Sequence, residues 1–239
     1  MSIKKYIPDC ITSMNLVCGV LGVVCAFGGK LDMAFLLMLA GAVFDFCDGS
    51  AARLLGAYSD LGKELDSLSD LVTFGVLPAT MMYNLMRSCT FSNGALCLVP
   101  LLIAVFTGIR LARFNVDERQ HLSFIGLASP VSALICGSLC YYVACEPAST
   151  LAIWCGSAAF IPAVSVVLCA LLVCPLPMFS MKITKDDSKA LKTKRISLLA
   201  ECVVTVAIVL VLGFDWSLAA LLCCTIYVLK NIIYSIFSI

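Results

Sequence analysis

Charge is scarce in this chain. Of its 239 residues only 13% are Asp, Glu, Lys or Arg, and the formal net charge is +1. A soluble domain with one core keeps about twice that share of charge, so a water-facing globular surface is excluded. So small a net charge points to no partner by itself, and no nucleic-acid partner is expected. Histidine is scarcer still, with His121 alone in the chain, which removes a His-based transition-metal site from consideration. His121 itself reads as incidental. Cysteine is not scarce, but its fifteen copies include no C-x-x-C pair and are scattered through apolar segments. That spacing excludes a zinc site or disulfide framework and leaves the thiols as small hydrophobes. Strand-period alternation is also missing, which excludes the closed barrel as a way of satisfying backbone groups in lipid. Low-complexity tracts and evident internal repeats are absent as well.

What the chain has is long apolar runs. Hydrophobic residues make up 62% of it, at a mean hydropathy of +1.04. Runs of about 18 apolar residues read as membrane-spanning helices, and eight fit, near 10–29, 32–54, 66–86, 95–113, 127–145, 151–174, 197–214 and 216–237. The expected fold class is all-α, a polytopic helical membrane protein forming one domain over 1–239. The first six runs cover about 1–175, with additional helices over about 197–237. Lys4 and Lys5 precede an apolar stretch, as in a signal peptide. However, Pro8, Asp9, Thr12 and Asn15 interrupt it, so it reads as a retained first helix.

Eight spans with the N-terminus inside place thirteen Lys and Arg residues on one side, among them Arg53, Lys63, Arg110, Arg113 and Arg119. Lys30 and Arg87 fall on the other side, and Lys230 lies near the end of the last span. The positive-inside bias makes both termini and the loop between helices 2 and 3 cytoplasmic. The polar stretch KITKDDSKALKTKR, residues 182–195, reads as a cytoplasmic connector beside anionic lipid. The last two helices, with few polar residues beyond Glu201 and Thr205, read as packing helices or a subunit contact.

Against that background residues 45–70, DFCDGSAARLLGAYSDLGKELDSLSD, stand out. An ionisable group at mid-bilayer costs roughly 2.5–3.5 kcal/mol, and less near helix ends. Arg53 and Lys63 cannot neutralise Asp45, Asp48, Asp66 and Asp70 together, so a further cation is expected. Residues three or four apart share a helix face. Asp45, Asp48, Gly49 and Ala52 therefore line one helix, with Arg53 beside them, and Gly62, Asp66 and Asp70 line the next. Two such faces opposed across a short loop form an oxygen-only cage suited to Mg²⁺, Mn²⁺ or Ca²⁺. Asp60 and Glu64, in or beside the loop, read as caps or solvated charges.

The stretch resembles the signature of the CDP-alcohol phosphatidyltransferases, D-x2-D-G-x2-A-R-x8-G-x3-D-x3-D. It matches at Asp45, Asp48, Gly49, Ala52, Arg53, Gly62, Asp66 and Asp70. RLARFN (Arg110–Asn115), GLASP (Gly126–Pro130) and PDCITSMN (Pro8–Asn15) are similar to segments of the phosphatidylserine synthase subgroup. Asp9 departs from the asparagine that many relatives carry there, while Thr12 and Asn15 match. The resemblance implies attack by an alcohol, L-serine in this subgroup, on the β-phosphorus of CDP-diacylglycerol, with release of CMP. It implies that Asp45, Asp48 and Asp66 are ligands to Mg²⁺ or Mn²⁺, as a pair of ions. Asp70 becomes the base and a further ligand, and the catalytic core covers about 1–175. Gly49, Ala52, Arg53, Gly62, Asp45, Thr12 and Asn15 would border CDP-diacylglycerol, and a homodimer in membrane lipid is implied.

Serine needs a cation for its carboxylate. Arg110 and Arg113, spaced i, i+3, fit either that role or that of snorkelling anchors, and the resemblance favours substrate for at least one, with Asn115 adding a hydrogen bond. Two alternatives stay open. Glycerol 3-phosphate or an inositol phosphate could be the acceptor, although either wants a denser basic cluster. A cation transporter would be another class, but the inverted repeats and broken mid-membrane helices of transporters are not evident.

Overall fold

The computed structural model describes residues 6–88, 94–116, 124–178 and 189–237. Lys4, Lys5, Arg119, His121, Lys182 and Lys185, used above for orientation and loops, lie outside them. The described chain is almost wholly helical. Helix α1 (Ile7–Phe27) and α2 (Leu31–Leu55) form an antiparallel pair, and their turn uses Gly29 at φ 75°. Gly56, left-handed at φ 60°, ends α2, and its N–H bonds to the Ala52 carbonyl. Ser59 then caps α3 (Asp60–Leu71) by accepting from the Gly62 N–H at 2.9 Å. A left-handed glycine and a serine cap are ordinary stop and start signals. Here they turn the chain back within four residues.

The run expected as one helix over 66–86 is three pieces: α3, a π turn (Val72–Val76) and α4 (Leu77–Ser88). Pro78 offers no N–H to the carbonyl one turn back and its ring crowds that carbonyl, so the helix widens ahead of it. The run at 95–113 likewise starts as a 3₁₀ segment (Ala95–Leu101) holding Pro100 before α5 (Leu102–Val116). After α6 (Ser129–Cys145), the run at 151–174 divides into α7 (Thr150–Cys155) and α8 (Phe160–Val173). Helices α9 (Lys189–Val211) and α10 (Trp216–Phe237) complete the order. The second half of the polar stretch at 182–195 is therefore the opening of α9, not a connector.

A two-residue antiparallel pairing, β1 (Phe124–Ile125) with β2 (Pro177–Met178), ties the chain before α6 to the chain after α8. Gly126 follows at φ 80°, where a Cβ would stand 2.8 Å from the Leu172 carbonyl oxygen. Only glycine fits that approach.

Helix α1 packs against α2, α3, the π turn and α4, while α6 packs against α2, α4 and α10. The core between them is apolar and closed, with Phe35, Met38, Phe74, Leu77 and Ile103 fully buried. The outer face is apolar too: Val24, Val43, Phe46, Val203 and Leu210 are all exposed. Such a surface suits lipid and not water. Three described helical segments are long and apolar enough to cross a membrane, Ile7–Phe27, Ala95–Val116 and Trp216–Ile236. Ser129–Cys145 and Phe160–Val173 are apolar but shorter.

Candidate active site

The turn at Gly56–Ser59 brings the acidic face of α2 against that of α3. One carboxylate oxygen from each of Asp45, Asp48 and Asp66 lies within 4.8 Å of the other two. Asp48 is only 6% exposed. Asp48 Oδ2 and Asp66 Oδ1 are buried without a hydrogen-bond partner. Among the described residues no lysine or arginine pairs with this triad. Buried anionic oxygens that converge unpaired are costly unless a cation joins them. The donor set is all carboxylate, so a hard divalent cation such as Mg²⁺ or Mn²⁺ fits it.

Asp70, one turn beyond Asp66, lies within electrostatic reach of all three carboxylates. Its Oδ1 accepts a long hydrogen bond, 3.5 Å, from Asn15 Nδ2. Asn15 is fully buried, and its own Oδ1 accepts from Thr73 Oγ1 at 2.8 Å. Thr73 sits in the π turn where three elements meet. A Cβ at Gly19 of α1 would come within 2.5 Å of its hydroxyl, and one at Gly41 of α2 within 2.7 Å of its methyl. Small residues at membrane-helix contacts allow this closeness. Ser69 Oγ adds a hydrogen bond to the Thr12 carbonyl at 3.3 Å, so α1 holds α3 at two heights.

The other residues singled out above fall in different places. Gly49 faces open space, with nothing within 4 Å of where its Cβ would be. Beside it Ala52 is half-buried. Arg53 is exposed, and its Nε donates to the Gly49 carbonyl at 2.9 Å. Around Gly62 the space is filled instead: a Cβ there would meet Asp9 Oδ1 at 2.8 Å and Ser59 Oγ at 3.0 Å. Thr12 is buried and donates to the Pro8 carbonyl at 3.0 Å.

Arg110 and Arg113 separate clearly. Arg110 is 9% exposed, and its Nη1 donates to Ser129 Oγ at 2.8 Å. Its Nε is buried without a partner, and Asp70 lies within electrostatic reach. Arg113 is exposed and makes a 3.4 Å contact with the Val173 carbonyl. Asn115 donates to Ser67 Oγ at 2.8 Å, joining α5 to α3 beside Asp66. Ser67, Thr73 and Ser129 were not singled out from sequence. Ser129 had a signal, lying in GLASP at the start of a helix. Ser67 and Thr73 had none, because their partners are distant in the chain.

This geometry supplies a cation cage, a fourth carboxylate beside it and a buried guanidinium beyond that. Comparison with known proteins gives the same direction. The CDP-alcohol phosphatidyltransferase profile matches residues 5–171. A CDP-diacylglycerol–serine O-phosphatidyltransferase of Bacillus subtilis is 38% identical over 130 residues, covering 54% of this chain and 72% of the relative. The enzyme of that name from Methanocaldococcus jannaschii is 35% identical over 144 residues, 59% of this chain and 65% of its own. An archaetidylserine synthase of Methanothermobacter thermautotrophicus is 37% identical over 134 residues, 55% of this chain and 56% of its own. With the profile spanning well over half of its length, the chain belongs to the CDP-alcohol phosphatidyltransferase family.

Proposed function

We propose that this protein is a CDP-diacylglycerol–serine O-phosphatidyltransferase, working as a multi-pass homodimer whose eight spans leave both termini and the site cytoplasmic. The observation that carries the reading is the buried Arg110 guanidinium beside the four-carboxylate cluster, with an unpaired Nε. One cation next to a carboxylate-lined cage suits an acceptor that brings one carboxylate and one hydroxyl. The names of the three relatives above share serine while differing in lipid, and the family membership leaves the transporter reading without support.

In this reading Asp45, Asp48 and Asp66, with Asp70 touching the site, hold two divalent ions. Bound there, the ions supply charge neutralisation at the pyrophosphate. The serine hydroxyl forms a new bond to the β-phosphorus, the bond from that phosphorus to the bridging oxygen breaks, and CMP leaves. Asp70 accepts the hydroxyl proton. Open space at Gly49, flanked by Ala52 and Arg53, takes the CDP group, and Arg53 leaves its own helix carbonyl to pair a phosphate. Gly62, Thr12 and Asn15 support that side from behind. Arg110 binds the serine carboxylate, and Arg113 and Asn115 border the same entrance.

The test is CMP release from CDP-diacylglycerol by the purified protein, with serine or glycerol 3-phosphate as second substrate. Serine-dependent release, lost on EDTA treatment and regained with Mg²⁺ or Mn²⁺, is expected. Release with glycerol 3-phosphate alone would replace serine as the acceptor, and full activity in metal-free protein would overturn the cage.

A further inference from the structure

The chain ahead of α6 is strapped to the chain that leaves α8. Strand β1 pairs with β2, the Gly126 N–H donates to the Leu176 carbonyl at 2.9 Å, and the Leu127 N–H donates to the Leu171 carbonyl at 2.9 Å. This strap fixes where α6 begins, and Ser129 is its first residue, followed by Pro130. That place in the helix decides what the Ser129 hydroxyl can do. Serines inside helices, such as Ser138 and Ser165, turn their hydroxyls back to carbonyls of their own helix, at Leu134 and Ile161. A first-turn serine has no helical carbonyl one turn back, so its hydroxyl is left for a partner elsewhere. The partner here is Arg110, whose Nη1 donates to Ser129 Oγ at 2.8 Å. Ser129 is fully buried, and Arg110 Nε is buried without a partner. One turn further along α6, Ser132 is also fully buried, yet its Oγ has no partner.

We infer that Ser129 is a positioning residue: by holding Nη1 it aims the unpaired Nε side of the Arg110 guanidinium at the acceptor's carboxylate. A carboxylate pairs with a guanidinium through two parallel bonds, either end-on through the terminal nitrogens or side-on through Nε and one of them. With Nη1 given to Ser129, the side-on approach is the favoured one. A long arginine side chain also has many rotamers, and holding it in one removes an ordering cost at binding. A hydroxyl does this without a negative charge, so it does not compete with the acceptor as a carboxylate neighbour would. This inference rests on the serine reading of Arg110.

The experiment uses the full-length protein with Ser129→Ala, Ser129→Thr, Ser132→Ala, Arg110→Ala and the Ser129→Ala, Arg110→Ala pair. The readouts are KM and kcat/KM for serine, the KM for CDP-diacylglycerol and the thermal midpoint. Ser129→Ala should lower kcat/KM for serine roughly 10-fold, through KM, the lower end for a hydrogen bond to a charged group. The KM for CDP-diacylglycerol should stay as in wild type, which a general loss of structure would not spare. Ser129→Thr keeps a hydroxyl and should stay within about 3-fold of wild type. Ser132→Ala removes a hydroxyl that has no partner and should leave serine kinetics unchanged. In the Arg110→Ala background, adding Ser129→Ala should cost nothing further, because no guanidinium remains to aim. Should Ser129→Ala fail to fold, Ser129→Cys, nearly the same size but a weak acceptor, carries the same comparison. An unchanged serine KM in Ser129→Ala, an equal loss in Ser132→Ala, or the same further loss without Arg110 would overturn the inference. If wild type proves to use glycerol 3-phosphate, the serine reading fails by itself. The cycle read on that acceptor still decides whether Ser129 acts through Arg110.

Discussion

Asp70 accepts a hydrogen bond from a buried side-chain amide, that of Asn15. Asp48 and Asp66 keep oxygens without a donor, as ligands awaiting a cation would. Asp70→Asn keeps size and loses the ability to take a proton, so turnover should fall by at least about 100-fold, the lower end of general-base contributions. Binding of CDP-diacylglycerol, measured by equilibrium titration, should remain. Near-normal turnover would assign the base elsewhere. The arginines make a second pair. Arg110→Ala should raise the serine KM roughly 10- to 150-fold, the loss of a charge-assisted hydrogen bond, while Arg113→Ala, on an exposed arginine, should move it about 3-fold at most. Unchanged serine kinetics in Arg110→Ala would move the acceptor site. The carboxylates were legible in the sequence because intramembrane charge is costly and i, i+3/i+4 spacing is visible. The two arginines were not separable there, because their spacing fits both roles and only packing against Ser129 distinguishes them.

At the scale of elements, apolar length found where helices run but not where they break. Pro78 and Pro100 are the marks of the π turn and the 3₁₀ entry, yet a long hydrophobic run reads the same with or without them. The π turn matters because it carries Thr73, and Thr73 holds Asn15, which touches Asp70. The glycines around it have no slack. At Gly41 a Cβ would sit 2.7 Å from Thr73 Cγ2 and 2.9 Å from Asn15 Oδ1. Overpacking of this kind costs about 1–3 kcal/mol, which in a chain this long lowers the midpoint by roughly 2–12 °C. Gly41→Ala should therefore lose both thermal stability and turnover. Gly49→Ala is the matched control, since nothing stands within 4 Å of its Cβ position. It should melt like wild type and show only a raised KM for CDP-diacylglycerol. Identical midpoints for Gly41→Ala and wild type would show that the contact of α1 and α2 with the π turn can yield.

Over the whole molecule, the open question in the sequence was what the last two helices do, since Glu201 and Thr205 were nearly their only polar marks. The contact that organises them spans twenty-nine positions, too far for any local spacing rule: Lys230 Nζ of α10 lies 2.6 Å from Glu201 Oε1 of α9 and 2.8 Å from Ser197 Oγ. Lys194 adds a cation over the Tyr234 ring at 4.4 Å from its centroid. A lone charge left on an apolar helix costs more than a matched pair removed together, because the pair satisfies itself while the survivor has only lipid or a rearranged neighbour. Glu201→Gln and Lys230→Met should each lower the thermal midpoint, and the double variant should recover toward wild type. The coupling from the cycle should be about 0.6 kcal/mol, and no more than about 1.7, the range for interhelical polar contacts in membranes. Because α10 packs on α6, whose first residue Ser129 holds Arg110, a hairpin loosened by either single change should raise the serine KM before it alters the KM for CDP-diacylglycerol. Additive midpoints with an untouched serine KM would make the pair a surface decoration. A recovered double variant would make it the tie that holds α9 against α10.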